Sequence, residues 1–162
     1  MYPFQIKALS ESELSQANAL KHTVFKHLSH HEKMTLNASL NPLDYKDVYE
    51  ALSITSLRYW VAIMDECVVG LVGLYEEQED DIDSIWLGWY CVDERYRGHR
   101  LGKRLLDFAI DEAVHHQKNT LKLYTTEHDV YAIARDMYLK RGFTLRSKKG
   151  KTLYYQLTIE GQ

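Results

Sequence analysis

Apolar residues recur along the chain with two periods, and the switches between them mark out its elements. Phe4 to Leu9 alternates weakly and predicts a first strand. Ser10 and Glu13 then stand at capping-box spacing ahead of Leu14, Ala17, Leu20 and Val24, which share one side of a helix. Between His27 and Thr55 the pattern is interrupted at Asn41-Pro42, after which Tyr45, Val48, Tyr49 and Leu52 predict a second helix. Two runs rich in valine and isoleucine, Tyr59 to Met64 and Val68 to Tyr75, flank Asp65-Glu66 and predict an antiparallel hairpin buried on both faces. A further apolar run, Ile85 to Val92, reads as a third strand of this group. From Leu101 the period is helical again, with Leu101, Leu105, Phe108 and Ala109 on one side and an end near Lys118-Asn119. Leu121 to Thr125 reads as a strand and Val130 to Arg141 as a helix stopped by Gly142. A closing hairpin pairs Phe143 to Arg146 with Thr152 to Leu157 around Lys148-Lys149-Gly150. No internal repeat interrupts this order.

The fold class that follows is α/β (α+β): a mixed, largely antiparallel sheet of about seven strands flanked by about four helices. A parallel pair is expected where the crossover helix Leu101 to Lys118 joins the strands on either side of it. The length, 162 residues, suits a single domain spanning 1–162. With 45% hydrophobic and 27% charged residues the chain can build an ordinary packed core. Neither Cys67 to Tyr75 nor Ile85 to Val92 approaches the roughly 20 apolar residues that cross a bilayer, so no membrane partner is expected. The opening MYPFQIKALSESE lacks the features of a secretory leader, which makes a cytoplasmic location the expectation. Cys67 and Cys91 sit in apolar contexts without a CxxC pair and read as buried thiols. His27, His30 and His31 have helical spacing but no completing cysteine or carboxylate cluster, so no metal is expected. Trp86, Trp89 and Tyr90 read as core aromatics, and His115-His116 as helix surface.

Charge changes the picture locally. Lys plus Arg number 20 against 23 Asp plus Glu, a formal net charge of −3, which argues against a nucleic-acid partner. Yet Arg95, Arg97, Arg100, Lys103 and Arg104 fall within ten positions, while Glu76, Glu77, Glu79, Asp80, Asp81 and Asp83 form an acidic loop within eight. The basic stretch lies where a buried strand, ending at Cys91-Val92, runs through a glycine-containing turn into a helix. Such a helix opening presents free backbone N–H groups and the positive end of the helix dipole, the makings of a diphosphate cradle over Arg97 to Gly102. A P-loop does not fit, because only three residues separate Gly98 from Gly102 and Lys103 is followed by Arg104; GxGxxG is absent.

Two motifs in order then identify a relationship. Arg97 and Gly102 match the [Q/R]-x-x-G-x-[G/A] signature after a valine-containing strand, with Arg100 standing where a central glycine is usual and Gly98 supplying an Arg-Gly pair. Ala134, Met137, Tyr138, Lys140, Gly142 and Phe143 match A-x-x-[L/M]-Y-x-K-x-G-F, with Tyr131 in place of the asparagine that often opens this second motif. Over Trp60 to Phe143 the chain resembles the GNAT superfamily of acyl-CoA-dependent N-acyltransferases.

The resemblance implies acetyl-CoA as cosubstrate, without a metal. It places the diphosphate at Arg97, Gly98, His99, Arg100, Leu101, Gly102 and Lys103, with Tyr131 and Ala134 farther along the cofactor. The pantetheine arm would enter a splayed parallel pair made by the strand at Trp89 to Val92 and its neighbour Leu121 to Thr125, with a backbone N–H of Cys91 or Val92 facing the developing oxyanion. Tyr138 matches the tyrosine that gives the departing thiolate its proton. The general base stays open among Asp83, Glu127, His128 and water. The implied activity is transfer of an acetyl group to a primary amine of a small molecule or peptide by direct attack on the thioester, in a monomer or homodimer. The alternative is a non-catalytic acyl-CoA-binding module of the same fold.

Overall fold

The computed structural model describes residues 4–98 and 100–159. Its strands are β1 (Gln5–Ala8), β2 (Ile54–Met64), β3 (Cys67–Glu77), β4 (Ser84–Leu87), β5 (Cys91–Val92), β6 (Thr120–Thr126), β7 (Thr144–Lys149) and β8 (Thr152–Thr158). Its helices are α1 (Glu11–Val24), α2 (His30–Lys33), α3 (Thr35–Leu40), α4 (Lys46–Leu52), α5 (Leu101–His115) and α6 (Ala132–Arg141). One sheet runs β1-β2-β3-β4-β6-β8-β7, with β5 pairing back onto β3. Every pairing is antiparallel except that of β4 with β6. The expected mixed sheet with one parallel pair is therefore present, with eight strands and six helices among the described residues.

The long apolar hairpin has helices on both sides, which is why its sequence lacks a polar face. Trp60, Ala62 and Met64 of β2 join a core with Leu101, Leu105, Leu106 and Ala109 of α5. The alternate residues Leu57, Tyr59 and Val61 join a second core with Ala17 and Leu20 of α1, Leu36 of α3 and Val48 of α4. Helix α1 starts where the spacing predicts, because Glu13 Oε1 accepts from both the backbone N–H (3.1 Å) and hydroxyl (2.8 Å) of Ser10. Gly142, at φ 107°, ends α6 in the left-handed conformation that a side chain resists.

Several expectations need correction. The stretch between His27 and Thr55 holds three short helices rather than one, and α2 opens on its own capping box, Ser29 to Glu32. The closing turn is Gly150-Lys151, so Lys148 and Lys149 belong to β7. Cys67 is exposed, because it opens β3 at the projecting tip of the hairpin, just after Asp65 and Glu66; only Cys91 is a buried thiol. His99 lies outside the described residues.

The correction that matters most concerns Ile85 to Val92, which is not one strand. Leu87 pairs with Leu74 and Cys91 with Leu71, so the three residues Gly88, Trp89 and Tyr90 stand opposite the two residues Val72 and Gly73. This is a β-bulge, and a bulge bends its strand and raises the local twist. It is possible because two glycines meet there: Gly88 donates to the Gly73 carbonyl at 2.6 Å, and a Cβ on Gly88 would sit 3.3 Å from the Gly73 backbone.

Candidate active site

Past the bulge the parallel pair comes apart. Ser84, Ile85 and Trp86 pair with Thr120, Leu121 and Lys122, but β6 continues to Thr126 while the bulged strand turns toward β3. The opening leads into a cavity of about 300 Å³. It is walled by Leu87 to Tyr90, by Leu123 to Thr126, and by Tyr131, Ala134 and Tyr138. Glu32, Thr35, Leu52, Ile54, Leu57, Tyr59, Tyr75 and Glu77 complete the wall. Trp89 and Tyr90, expected in the core, are half-buried members of this wall, since the bulge re-aims them. Trp86, on the regular part of the strand, stacks on Tyr75 instead.

Tyr138 is held by packing. Its ring centroid lies 6.0 Å from Tyr90, 5.7 Å from Phe143 and 6.1 Å from Tyr155, and burial pushes its phenol well above the ordinary tyrosine value. It is therefore a neutral O–H donor at physiological pH. Tyr131 lies nearly parallel to Phe25 across the cavity wall, 6.1 Å between centroids. Arg135 fixes the loop before α6 by donating through Nη1 to the carbonyls of Thr126 (2.7 Å) and His128 (2.8 Å). Cys91 and Val92 form β5, paired with Leu71 and Gly70, and neither side chain lines the cavity. Burial raises the Cys91 thiol to about 12.

Beside the opening is the start of α5. Arg100 is its N-cap in a left-handed conformation (φ 60°), and Gly98 turns at φ 90° with open space around its α-carbon. The N–H groups of Leu101, Gly102 and Lys103 precede the first intrahelical bond, which Arg104 donates to Arg100. The basic residues here are not equivalent. Arg95 is paired with Asp93 at 2.9 Å, Lys103 with Asp107 at 3.2 Å, and Arg104 lies over the Phe4 ring at 4.6 Å. Among the described residues Arg97 and Arg100 have no ion-pair partner, which leaves two guanidinium groups at the helix opening for an incoming anion. Leu101 is buried beneath this turn, and a Cβ on Gly102 would meet both Met137 and the Tyr90 hydroxyl at 3.3 Å.

The three candidate bases lie elsewhere. Asp83 is exposed at the end of the acidic loop, Glu127 is ion-paired with Lys148, which holds its carboxyl below the usual range, and His128 Nδ1 accepts from the Val130 N–H at 3.1 Å. None of them lines the cavity. The carboxylates that do are Glu32 and Glu77, which sequence reading missed. Glu77 belongs to the acidic loop's first residues, but its neighbours are spent structurally: Glu76 pairs with Lys118 at 2.8 Å and Asp80 with Lys122 at 2.9 Å. Burial, reinforced by the charge of Asp80, pushes the Glu77 carboxyl above the ordinary value. The local signal for Glu32 was the Ser29 capping box.

A buried polar knot underlies the same wall. Lys21, wholly buried, donates to the carbonyls of Glu32 (2.6 Å) and Lys33 (3.3 Å) and to Thr35 Oγ1 (3.1 Å), with its ammonium 5.2 Å from the Trp89 ring centroid. Trp89 Nε1 donates to the same hydroxyl at 2.8 Å. Desolvation lowers Lys21 to about 8. No helix among the described residues is long and apolar enough to cross a membrane, and these residues contain no cluster of His, Cys, Asp and Glu suited to a metal.

Known proteins share this fold. A family model described as acetyltransferase (GNAT) family matches residues 25–143. Human N-acetylaspartate synthetase is 34% identical over 85 residues, which is 52% of this chain and 27% of that protein, so the chain spans about a quarter of its relative's length. Among solved structures, a GNAT-family acetyltransferase from Staphylococcus aureus Mu50 superposes with a TM-score of 0.74 at 19% identity, covering 98% of this chain and 100% of that one. A PaiA N-acetyltransferase from Thermoplasma acidophilum, in complex with coenzyme A, gives 0.70 at 16% identity, covering 96% and 99%. The order of elements, the opened parallel pair and the family match over residues 25–143 agree: this chain belongs to the acetyltransferase (GNAT) family.

Proposed function

We propose that the chain, as one domain over 1–162, transfers an acetyl group from acetyl-CoA to the primary amine of a small molecule or peptide. The observation that carries this reading is the opened β4/β6 pair, which joins a helix opening rich in unpaired positive charge to a cavity with a neutral tyrosine in its wall.

In this reading the diphosphate of CoA lies on the N–H groups that open α5, with Arg97 and Arg100 supplying charge and Gly98 and Gly102 keeping the approach clear. The pantetheine arm lies in the opening, using backbone groups of the bulged strand and of β6, and passes Tyr131 and Ala134. The cosubstrate supplies an activated acyl carbon. The neutral amine nitrogen attacks that carbon, the carbon–sulfur bond breaks, the sulfur leaves with the electron pair and takes a proton from the Tyr138 hydroxyl, and the proton that the acylated nitrogen sheds returns through water to that phenol. The ammonium must first lose its own proton. That proton passes to water or to a carboxylate, and Asp83, Glu127 and His128 would need an intervening water because they stand outside the cavity.

The position of those three groups also supports a second reading, a module that binds acyl-CoA without turnover. One measurement separates the two. The protein is incubated with acetyl-CoA and a broad amine panel, and free CoA is followed by thiol release. Release above the amine-free background supports the transferase; tight acetyl-CoA binding by calorimetry with no release for any amine supports the module.

A further inference from the structure

Every charged side chain in the cavity wall is a carboxylate: Glu32 and Glu77 line it, and no lysine, arginine or histidine does among the described residues. The two carboxylates differ in what they already do. Glu32 Oε1 accepts from the Ser29 N–H at 2.9 Å, which caps α2. The Glu77 carboxylate has neither hydrogen bond nor ion pair among the described residues, although the residue is half-buried and its carboxyl is raised by that burial. A half-buried carboxylate without a partner is an incomplete arrangement, and a cation completes it. Both charges bear on the phenol of Tyr124, which lines the same cavity as Tyr59 and Tyr75. Aromatic faces beside carboxylates suit an ammonium group and the apolar body attached to it.

The nearest cations are already committed. Lys21 is tied to three acceptors beneath the wall, and Lys122 is paired with Asp80 and lies over the Trp86 ring. A carboxylate entering with the substrate would therefore meet two like charges and no free countercharge. At about 300 Å³ the cavity is at the small end for ligand sites, and the reactive end of the cosubstrate must share it.

Resting on the acetyltransferase reading above, we propose that the acceptor is a small monoamine with an aromatic or alkyl body and no carboxylate, its ammonium received by Glu77 with Glu32 beside it. This departs from the amino dicarboxylate in the name of the human relative. The residue most exposed to test is Glu77, since it carries no structural partner to lose.

The experiment compares tyramine, phenethylamine, aspartate and a short alanine-terminated peptide as acceptors in acetyl-CoA-dependent CoA release, for the wild type, Glu77→Gln and Glu32→Gln. The expected result is a kcat/KM for the aryl amines at least a hundredfold above that for aspartate and above that for the peptide. Glu77→Gln is expected to raise the amine KM at least tenfold while the acetyl-CoA KM and the melting temperature stay within twofold and two degrees. Acetylation of aspartate or of the peptide as efficiently as the aryl amines overturns the inference, as does an unchanged amine KM in Glu77→Gln. If no amine is acetylated, the transferase reading fails separately, and calorimetry of tyramine with the CoA-loaded protein decides this one: binding weakened tenfold by Glu77→Gln supports it, and no binding overturns it.

Discussion

The Tyr90 hydroxyl donates to the backbone carbonyl of Gly102 over 2.5 Å, so the bulge that opens the sheet and the first turn of α5 are tied directly together. The two halves of the proposed CoA site are thereby coupled. Tyr90→Phe removes this bond and little else, because the ring keeps its packing against Tyr138. The expected cost is about 1 kcal/mol of stability, read as a small drop in melting temperature, with acetyl-CoA affinity falling about fivefold, or roughly 1 kcal/mol, by calorimetry. Unchanged affinity would show that the bulge and the helix opening act independently.

Gly102 tests the cradle from the other side. A valine there would press on Met137 and on the Tyr90 hydroxyl, each 3.3 Å from the added Cβ, and would narrow the approach to the free amides. Gly102→Val is expected to weaken acetyl-CoA binding by about tenfold or more while the far-UV circular dichroism stays that of the wild type.

Tyr138→Phe separates chemistry from binding. The ring still packs on Phe143 and Tyr155, and only the proton donor is lost. We expect kcat to fall about a hundredfold with acetyl-CoA affinity within twofold of wild type. A fall in affinity with kcat preserved would assign Tyr138 a packing role alone.

Much of this arrangement is legible along the chain and part of it is not. The Ser10–Glu13 capping box, the apolar stripe of α5 and Gly142 each act within a few residues, so spacing reveals them. The bulge does not announce itself, because Ile85 to Val92 is apolar throughout and the extra residue exists only in the pairing with Val72 and Gly73. The two cavity carboxylates escape for a related reason. Glu32 is read locally as a cap, Glu77 as one acid among six, and only the folded sheet brings them to one wall. Of the short helices after His27, α4 shows in the spacing of Val48, Tyr49 and Leu52, whereas α2 and α3 are hidden because neither is long enough to show a period.

Lys21 gives the stability a pH dependence whose sign follows from burial. Its ammonium is held at about 8 in the fold, against an ordinary value of 10.5, so between those values the unfolded chain retains a proton that the folded chain has released. Stability contributed by this site therefore rises with pH across that interval. Cys91, raised to about 12, acts in the opposite sense above about 9. The two are separated by urea denaturation of the wild type and Lys21→Met: the stability difference, wild type minus variant, is expected to grow in favour of the wild type from pH 8 to about 9.5. A flat difference would mean that the lysine keeps its proton in the fold.

The odd count at Gly88, Trp89 and Tyr90 has a consequence for how this chain tolerates change in length. Removing any one of the three would restore even pairing, two residues then standing opposite Val72 and Gly73 with Cys91 still opposite Leu71. A bulge bends its strand through the one residue it adds, so a single deletion removes the bend while leaving the pairing on either side in register. The opening to the cavity is thus written as a count of residues rather than as their identities. Substitutions at Trp89 alter what the wall is made of, whereas one lost residue erases the doorway.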